Sequence, residues 1–451
     1  MRPKRPERSS ADDLFRARLE SIIDPRHELV RLGVLIDWAG FDDGFGRFYC
    51  PAGRPALPTR LMVGLCYLKH TFDLSDEALI ERWCENPYWQ QFCGFELFQH
   101  RPPCDPTSLV RFRKRIGPDG MERLLAETVR AGLDSGAVRP TSLERISVDT
   151  TVQPKAIAHP VDSRLYHKAL EVLVRQAKRA GIRLRQSYLR LARRARHQVQ
   201  RYGHARQFRR MRREVRRLRT FLGRVYRDVG RKIAGDAELE RRFARLLGLV
   251  ERLLRQIRTT SPKLYSLHAP EVQCFNRGKA NRRYEFGAKV GIAATNREGF
   301  LLAARAFDGT PYDGHTLAAT LDQVVRTGGV APARIYVDRG YRGHDHAGPG
   351  EVLIAGRTRG LTATMRRELR RRNGLEATIG HAKDDHRMGR NFLLGTIGDA
   401  INALAAACGY NLRRILAALR HLRALILATL ALVPAKPNTS PPASNPLLAT
   451  A

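Results

Sequence analysis

Arg145-Ile146-Ser147-Val148-Asp149-Thr150-Thr151 alternates apolar and polar side chains and closes on a carboxylate and two hydroxyls. A period of two predicts a strand with one face against a core. Nothing upstream reads that way. From Leu14 to about Gly136 the apolar residues recur at threes and fours, punctuated at Pro51 to Pro58, Asn86-Pro87 and Pro102 to Pro106, so the first 140 residues are expected to form a helical domain. The change of period at Arg145 marks a boundary.

Within the helical part, Pro58 to Phe72 is an apolar helix opened by proline, and Asp73-Leu-Ser-Asp-Glu77 caps a second helix running to Cys84. A third follows Asp105-Pro-Thr-Ser108 and carries Arg111, Arg113, Lys114 and Arg115 near its start. A short helix with a basic start suits docking on DNA, with a solvated basic face as the alternative; Arg111, Arg113 and Lys114 are the candidate contacts.

Downstream of the decisive strand, 164–262 reads as long helices almost free of Gly and Pro, with 30 Arg or Lys against 7 Asp or Glu. Gln186 to His197 and Gln207 to Arg219 carry basic residues on nearly every face, Arg212, Arg213 and Arg216 among them, which self-repel unless anions neutralise them. Strand signals return after Ser261-Pro262. Tyr284 to Ala294 and Gly299 to Phe307 read as two strands joined by the polar turn Thr295 to Glu298. Asp313-Gly-His-Thr316 opens an amphipathic helix to about Gly328, with Asp313 or a Thr as its N-cap. Arg334-Ile-Tyr-Val-Asp338 and Glu351 to Ala355 are further strands, Thr362 to at least Lys383 is helical, Thr396 to Leu419 is an apolar helix, and 434–451, rich in Pro, Ser and Asn, is expected to be disordered. The expected class is therefore α/β: a catalytic domain from 141–163 plus 263–420, an all-α N-terminal domain over 1–140 and an Arg-rich helical insertion over 164–262.

Charge supports a polyanionic partner. The 451 residues hold 80 Lys or Arg against 44 Asp or Glu, a formal net charge of +36, and 68 of the 80 are Arg, the side chain that grips phosphate bidentately. A GC-rich coding bias would explain Arg over Lys but not the net charge. Seven Cys without CxxC or Cys/His zinc spacing point to neither a disulfide framework nor a zinc finger, and fit a reducing cytoplasm. The basic start lacks the apolar run of a signal peptide, and Ala424 to Val433 is too short to span a bilayer, so no membrane partner is expected.

Three acids stand where a metal site wants them: Asp149 and Asp338 at strand ends and Glu376 on a later helix. Carboxylate oxygens of this kind suit Mg²⁺ or Mn²⁺, and a pair of such ions roughly 4 Å apart serves phosphodiester chemistry. Arg372 stands four residues before Glu376, and Lys383 and Arg387 seven and eleven after it, which on one continuous helix would form a single stripe for the DNA backbone. Taken singly, an Asp at a strand end is more often a cap, and the same stripe would serve as a salt-bridged solvent face. Among the other acids, Asp313 reads as an N-cap, and Asp384 and Asp385 point off the Glu376 face. His344 and His346, two apart in a polar loop, do not form a helical zinc site.

Ser147-Val-Asp-Thr-Thr151, Tyr284-Glu-Phe-Gly287, Tyr312-Asp-Gly-His-Thr-Leu317, Val337-Asp-Arg-Gly-Tyr341 and Arg372 to Lys383 resemble the segments of bacterial insertion-sequence transposases with a DDE triad, specifically the insertion-sequence-five group. Leu74-Ser-Asp-Glu77, Phe92-Cys-Gly94 and Asp105 to Phe112 resemble the helical domain that precedes the catalytic domain there. The resemblance implies a ribonuclease-H-like fold (a mixed sheet flanked by helices), with Asp149, Asp338 and Glu376 as catalytic metal ligands. Arg372 and Lys383 match the family's Arg-x3-Glu-x6-Lys signature, which carries a Tyr three residues before the Arg where this chain has Leu369. Tyr341 and His315 are candidates for supporting or phosphate-contacting roles. The implied function is a DNA transposase acting on element ends and target DNA as a homodimer or larger assembly in the cytoplasm, at the nucleoid. A transposase-derived repressor without activity, or a metal-dependent nuclease without strand transfer, are the alternatives.

Overall fold

A computed structural model describes residues 17–49, 55–257, 259–276, 283–357 and 359–431, with side chains to 424; the expected disordered tail, 434–451, lies outside them. The chain opens with helices α1 (Leu19–Ile22), α2 (Glu28–Leu35), α3 (Trp38–Phe45), α4 (Thr59–Thr71), α5 (Asp76–Glu85), α6 (Pro87–Phe92) and α7 (Pro106–Asp134). The expected caps are in place. Ser75 accepts from the Ala78 N–H and Asp105 from the Thr107 N–H, while Asn86 precedes Pro87 at the first turn of α6, where its missing donor costs nothing. α7 bends at Gly117 and Pro118, Gly117 adopting φ 61.

Then come β1 (Arg145–Pro154), helices α8 (Asp162–Arg179), α9 (Leu189–His204), α10 (Phe208–Ile233) and α11 (Ala237–Arg255), and strands β2 (Gln273–Asn276), β3 (Tyr284–Thr295) and β4 (Leu301–Phe307). Helix α12 (Leu317–Gly328), strands β5 (Arg334–Val337) and β6 (Glu351–Ile354), and helices α13 (Ala363–Arg371), α14 (Gly374–Asp384) and α15 (Gly395–Ala431) complete it. The strands make one mixed sheet in the order β2-β3-β1-β5-β6, with β4 also on β3; β1 runs antiparallel to β3 and parallel to β5. The predicted strands and the Arg-rich helices are all found. Two helical readings change: 362–383 is broken into α13 and α14, and the last helix runs to Ala431.

One hydrophobic core extends from Leu29 in α2 through Leu124 in α7, Val148 in β1 and Ile292 in β3 to Leu419 in α15. The N-terminal helices and the sheet therefore share a core, because α15 packs on α4, α7 and β4 together. The insertion is different: Leu173, Leu222, Val225, Phe243 and Leu253 build a separate core inside α8–α11.

At the foot of the insertion, Lys155 closes β1 with its ammonium buried between Asp399 Oδ1 (2.7 Å) and Glu271 Oε1 (2.9 Å), and Asn391 donates to the same Asp399. This ties the strand to the chain returning from the insertion and to α15. The glycine of Tyr284-Glu-Phe-Gly287 has a local reason too. It pairs with Pro154, and a Cβ there would lie 1.9 Å from the Gln153 carbonyl oxygen. We expect Gly287→Ala to destabilise the protein by about 1–3 kcal/mol in urea unfolding, the cost of forcing atoms into a packed contact; unchanged stability would mean β1 and β3 separate freely.

Candidate active site

Register brings two of the three acids together. β1 and β5 run parallel, with Ser147 opposite Tyr336 as their last pair, so two residues further on each chain segment come Asp149 and Asp338. Both stand at the carboxyl side of the parallel pairing, where open α/β sheets place their ligands. Asp149 is held by β1, with its Oδ1 accepting from the Thr150 N–H, and its side chain is 18% exposed. Asp338 caps the turn Arg339–Tyr341, Oδ1 accepting from the Gly340 N–H at 3.3 Å. Its capping role and its place beside Asp149 coexist, since the other oxygen faces inward.

Between the two carboxylates sits a guanidinium. Arg372 Nη2 donates to Asp149 Oδ2 at 2.9 Å and lies 3.7 Å from Asp338 Oδ2, with the side chain 8% exposed and Nε buried without a protein partner. Burial pushes the Asp149 carboxyl above its ordinary pKa, opposed by Arg372 and by the Thr150 N–H. Tyr341 packs beneath at 1% exposure, its phenol pushed up by burial and by Asp149 beside it. His315 is exposed, edge-on to Tyr312.

A fourth carboxylate joins them. Of the two expected caps, Thr316 takes the N-cap position of α12 and Asp313 does not; the Asp313 Oδ1 accepts from Thr150 Oγ1 (2.7 Å) and from Lys289 Nζ (2.8 Å). Contrary to expectation, Asp149 is not at a strand end, since β1 runs on to Pro154 along β3; it stands just past the last pair with β5, and the network through Thr150 holds that middle part of the strand. The Tyr312-Asp-Gly-His-Thr-Leu317 motif was the signal available in the sequence; cap chemistry alone misread it.

Glu376 is placed differently. α13 closes at Arg371, the Arg372 N–H donating to the Glu368 carbonyl, and α14 starts at Gly374. The break turns Arg372 into the carboxylates and leaves Glu376 exposed in the first turn of α14, a helix that packs on β1 and α15. Among the described residues no group of three or more His, Cys, Asp or Glu is arranged to hold a metal. The single stripe expected from spacing is thus interrupted. Arg372 precedes α14, Lys383 is half-buried near its end, and Arg387, past the end at φ 67, donates to the Asp73 carbonyl at 3.1 Å.

The other basic candidates divide by burial. Arg111 and Lys114 are exposed on α7, and Arg212, Arg213 and Arg216 on α10. Arg113 corrects the sequence reading: 3% exposed, it makes a bidentate pair with Asp76, which Lys69 also contacts at 2.8 Å. Helical periodicity puts Arg113 one residue after the buried Phe112, on the side of α7 that faces α5, and the acid waiting there is invisible to local spacing.

Comparison with known proteins adds the decisive observation. Residues 17–115 match a family model described as Transposase domain (DUF772), and residues 256–412 match one described as Transposase DDE domain. The chain belongs to the DDE transposases of insertion sequences. Asp338, Glu376 and the Arg372–Lys383 signature fall inside the second match, and Asp149 lies between the two. A protein of Rhizobium meliloti described as uncharacterized, ORF8 in the nfe locus, is 64% identical over 208 residues, 46% of this chain and the whole of that protein. No solved structure matches this transposase chain. No described helix is long and apolar enough to cross a membrane.

Proposed function

We propose that the protein binds the terminal inverted repeats of its element, cuts the DNA at those ends and joins the freed 3′-hydroxyls to target DNA, as a transposase of the insertion-sequence-five group with a ribonuclease-H-like catalytic domain. The observation that carries this is the parallel register that sets Asp149 and Asp338 side by side, in a chain of the DDE family. The pair offers only hard oxygen donors and already accommodates one buried positive charge, that of Arg372, which fits a divalent cation such as Mg²⁺ or Mn²⁺. Asp149 and Asp338 would hold it, with Glu376 from α14 as the third acid. Two such ions held there would supply the charge that neutralises the phosphodiester and would lower the pKa of the attacking hydroxyl.

This chain's own residues do the rest. Thr150, Asp313 and Lys289 hold the middle of β1 beside Asp149, and Arg372 keeps the two carboxylates together. Lys383 and the exposed Arg111, Lys114, Arg212, Arg213 and Arg216 contact phosphates. Two element ends must be handled together, so the working form is a dimer or larger assembly on DNA, in the cytoplasm at the nucleoid. The exposure of Glu376, with no group of three or more acids arranged to hold a metal among the described residues, favours one second reading: a DNA-binding derivative that no longer cuts.

Nicking and joining of a plasmid carrying the gene's flanking DNA, with Mg²⁺ or Mn²⁺, separates the two: cutting at the flanks supports the transposase, and binding without cutting under either ion supports the derivative. The insertion is testable in parallel. Most of its acids are engaged, as in Arg217–Glu214 and Lys232–Asp228, while most of its arginines face solvent. Deleting 164–262 should therefore flatten the salt dependence of DNA binding, each lost phosphate contact removing about 0.9 from the slope of log K against log salt. An unchanged slope would remove the insertion from the DNA interface.

A further inference from the structure

Two adjoining cavities of about 270 and 350 Å³ lie across the β3–β4 turn and the α13–α14 junction, sharing Asn296, Arg297 and Arg371. Together they form a trench that the proposed chemistry does not use. Arg297, Arg367, Arg371 and Arg414 line it, all exposed, and no carboxylate among the described residues pairs with any of them. The acid at its floor, Glu368, is buried and taken by Arg145 and Arg334 at 3.3 Å each and by the Tyr336 hydroxyl. Glu298, whose Oε1 accepts from Ser142, is the second acid of the lining, and the arginines outnumber the two, leaving the trench net positive.

Two independent features point to a ligand. α14 begins in the trench, at Gly374 and Leu375, with no side-chain cap; the Leu375 and Glu376 N–H groups bond the Arg372 and Asn373 carbonyls, and the helix dipole adds positive potential there. Asn296, 8% exposed, donates through Nδ2 to Ser147 Oγ and to the Glu368 carbonyl, leaving its Oδ1 buried without a protein partner; Glu298 Oε2 is likewise partnerless. A bare anion would satisfy the arginines and leave those acceptors empty. A DNA strand carries phosphates together with the amino donors that its bases present in the grooves, and so meets both.

We infer that this trench is a second binding track for a DNA strand, distinct from the carboxylate pair and continuous with it. Arg145 lines the trench, and Asp149 follows four residues along β1, roughly 13 Å at 3.3 Å per residue. That span is about four nucleotides of one strand. Adjacent residues of the α13–α14 junction serve the two places: Arg371 faces the trench and Arg372 the carboxylates. The strand gripped in the trench is thus the one presented to Asp149 and Asp338. This rests on the reading that the protein acts on DNA.

The test uses the full-length protein with a duplex of about 30 base pairs and, separately, inorganic phosphate, without divalent ions so that binding is read apart from cutting. Arg297→Lys, Arg371→Lys and Arg414→Lys keep the charge and introduce amines whose acylation is followed by mass spectrometry. We expect DNA to suppress that acylation several-fold and phosphate to leave it unchanged. The triple variant with Gln at the same positions should bind DNA roughly 10- to 100-fold more weakly at low salt, its salt slope reduced by about 2–3. Equal acylation with and without DNA, together with an unchanged slope, overturns the trench even if the wild type cuts DNA with Mg²⁺; protection by phosphate alone reduces it to an anion pocket and overturns it too. Protection by DNA in a protein that never cuts keeps the trench and removes the transposase chemistry.

Discussion

Asp149→Asn and Asp338→Asn should each lower DNA cleavage by about 10²–10³-fold in the plasmid assay, with binding of the same DNA retained. That is the scale on which losing a group that stabilises developing charge is felt. The two positions differ in what else they disturb. Asp149 is mostly buried against Arg372, so its substitution also leaves a buried guanidinium short of an anion, whereas Asp338 is 49% exposed. Thermal unfolding of both variants separates lost chemistry from lost fold. Glu376→Gln is the sharper control, because the side chain is exposed and its loss should cost no stability. If Glu376→Gln cuts as well as wild type while both aspartate variants fail, the third acid is not Glu376, and Asp313, already bonded to Thr150 and Lys289 beside the pair, becomes the residue to replace next.

Asp76→Ala should destabilise the protein by about 3–5 kcal/mol, the cost of leaving buried charge unpaired. Arg113 and Lys69 both turn to this one carboxylate, and the side chains of all three are nearly buried. The arginine and lysine pull the Asp76 carboxyl down from 3.8 to about 2 against the upward push of burial. A carboxylate depressed in the folded state stabilises above its unfolded pKa, so this contribution is complete above roughly pH 4 and is lost as the pH falls through about 2. The difference in unfolding free energy between wild type and Asp76→Asn should accordingly be largest near neutrality and shrink toward pH 2. A difference that does not change with pH over that range would mean the pair is not what holds α5 to α7.

Local rules read the local elements well. The alternating stretch at Arg145 became β1 and the apolar runs between turn residues became β3, β4 and β5, buried almost throughout, and Ser75, Asn86 and Asp105 cap their helices because their side-chain oxygens reach free N–H groups within three residues. The same rules misjudged Asp313 and Arg113. A cap and a basic helix start are defined by neighbours in sequence, but the partners that claimed these side chains, Lys289 and Asp76, stand 24 and 37 residues away. The Arg372–Glu376–Lys383–Arg387 stripe failed for a related reason. Spacing predicts a shared face only along an unbroken helix, and the turn at 372–373 and the left-handed Arg387 break it at both ends.

The sequence by itself determined the kind of partner, the alternation of helix and strand, and the identity of the acids, since charge, periodicity and residue type are properties of the chain alone. Only the tertiary structure decided which of those acids meet. Asp149 and Asp338, 189 residues apart, are neighbours because β1 pairs with β5 in one register, and a shift of a single residue would turn one carboxylate to the opposite face of the sheet. It also decided that Arg372 lies between them, that Asp313 stands beside them, and that the helices before β1 share the core of the sheet while the basic insertion keeps its own. Pairing and burial are long-range balances of desolvation against new contacts, and no window of sequence contains both partners.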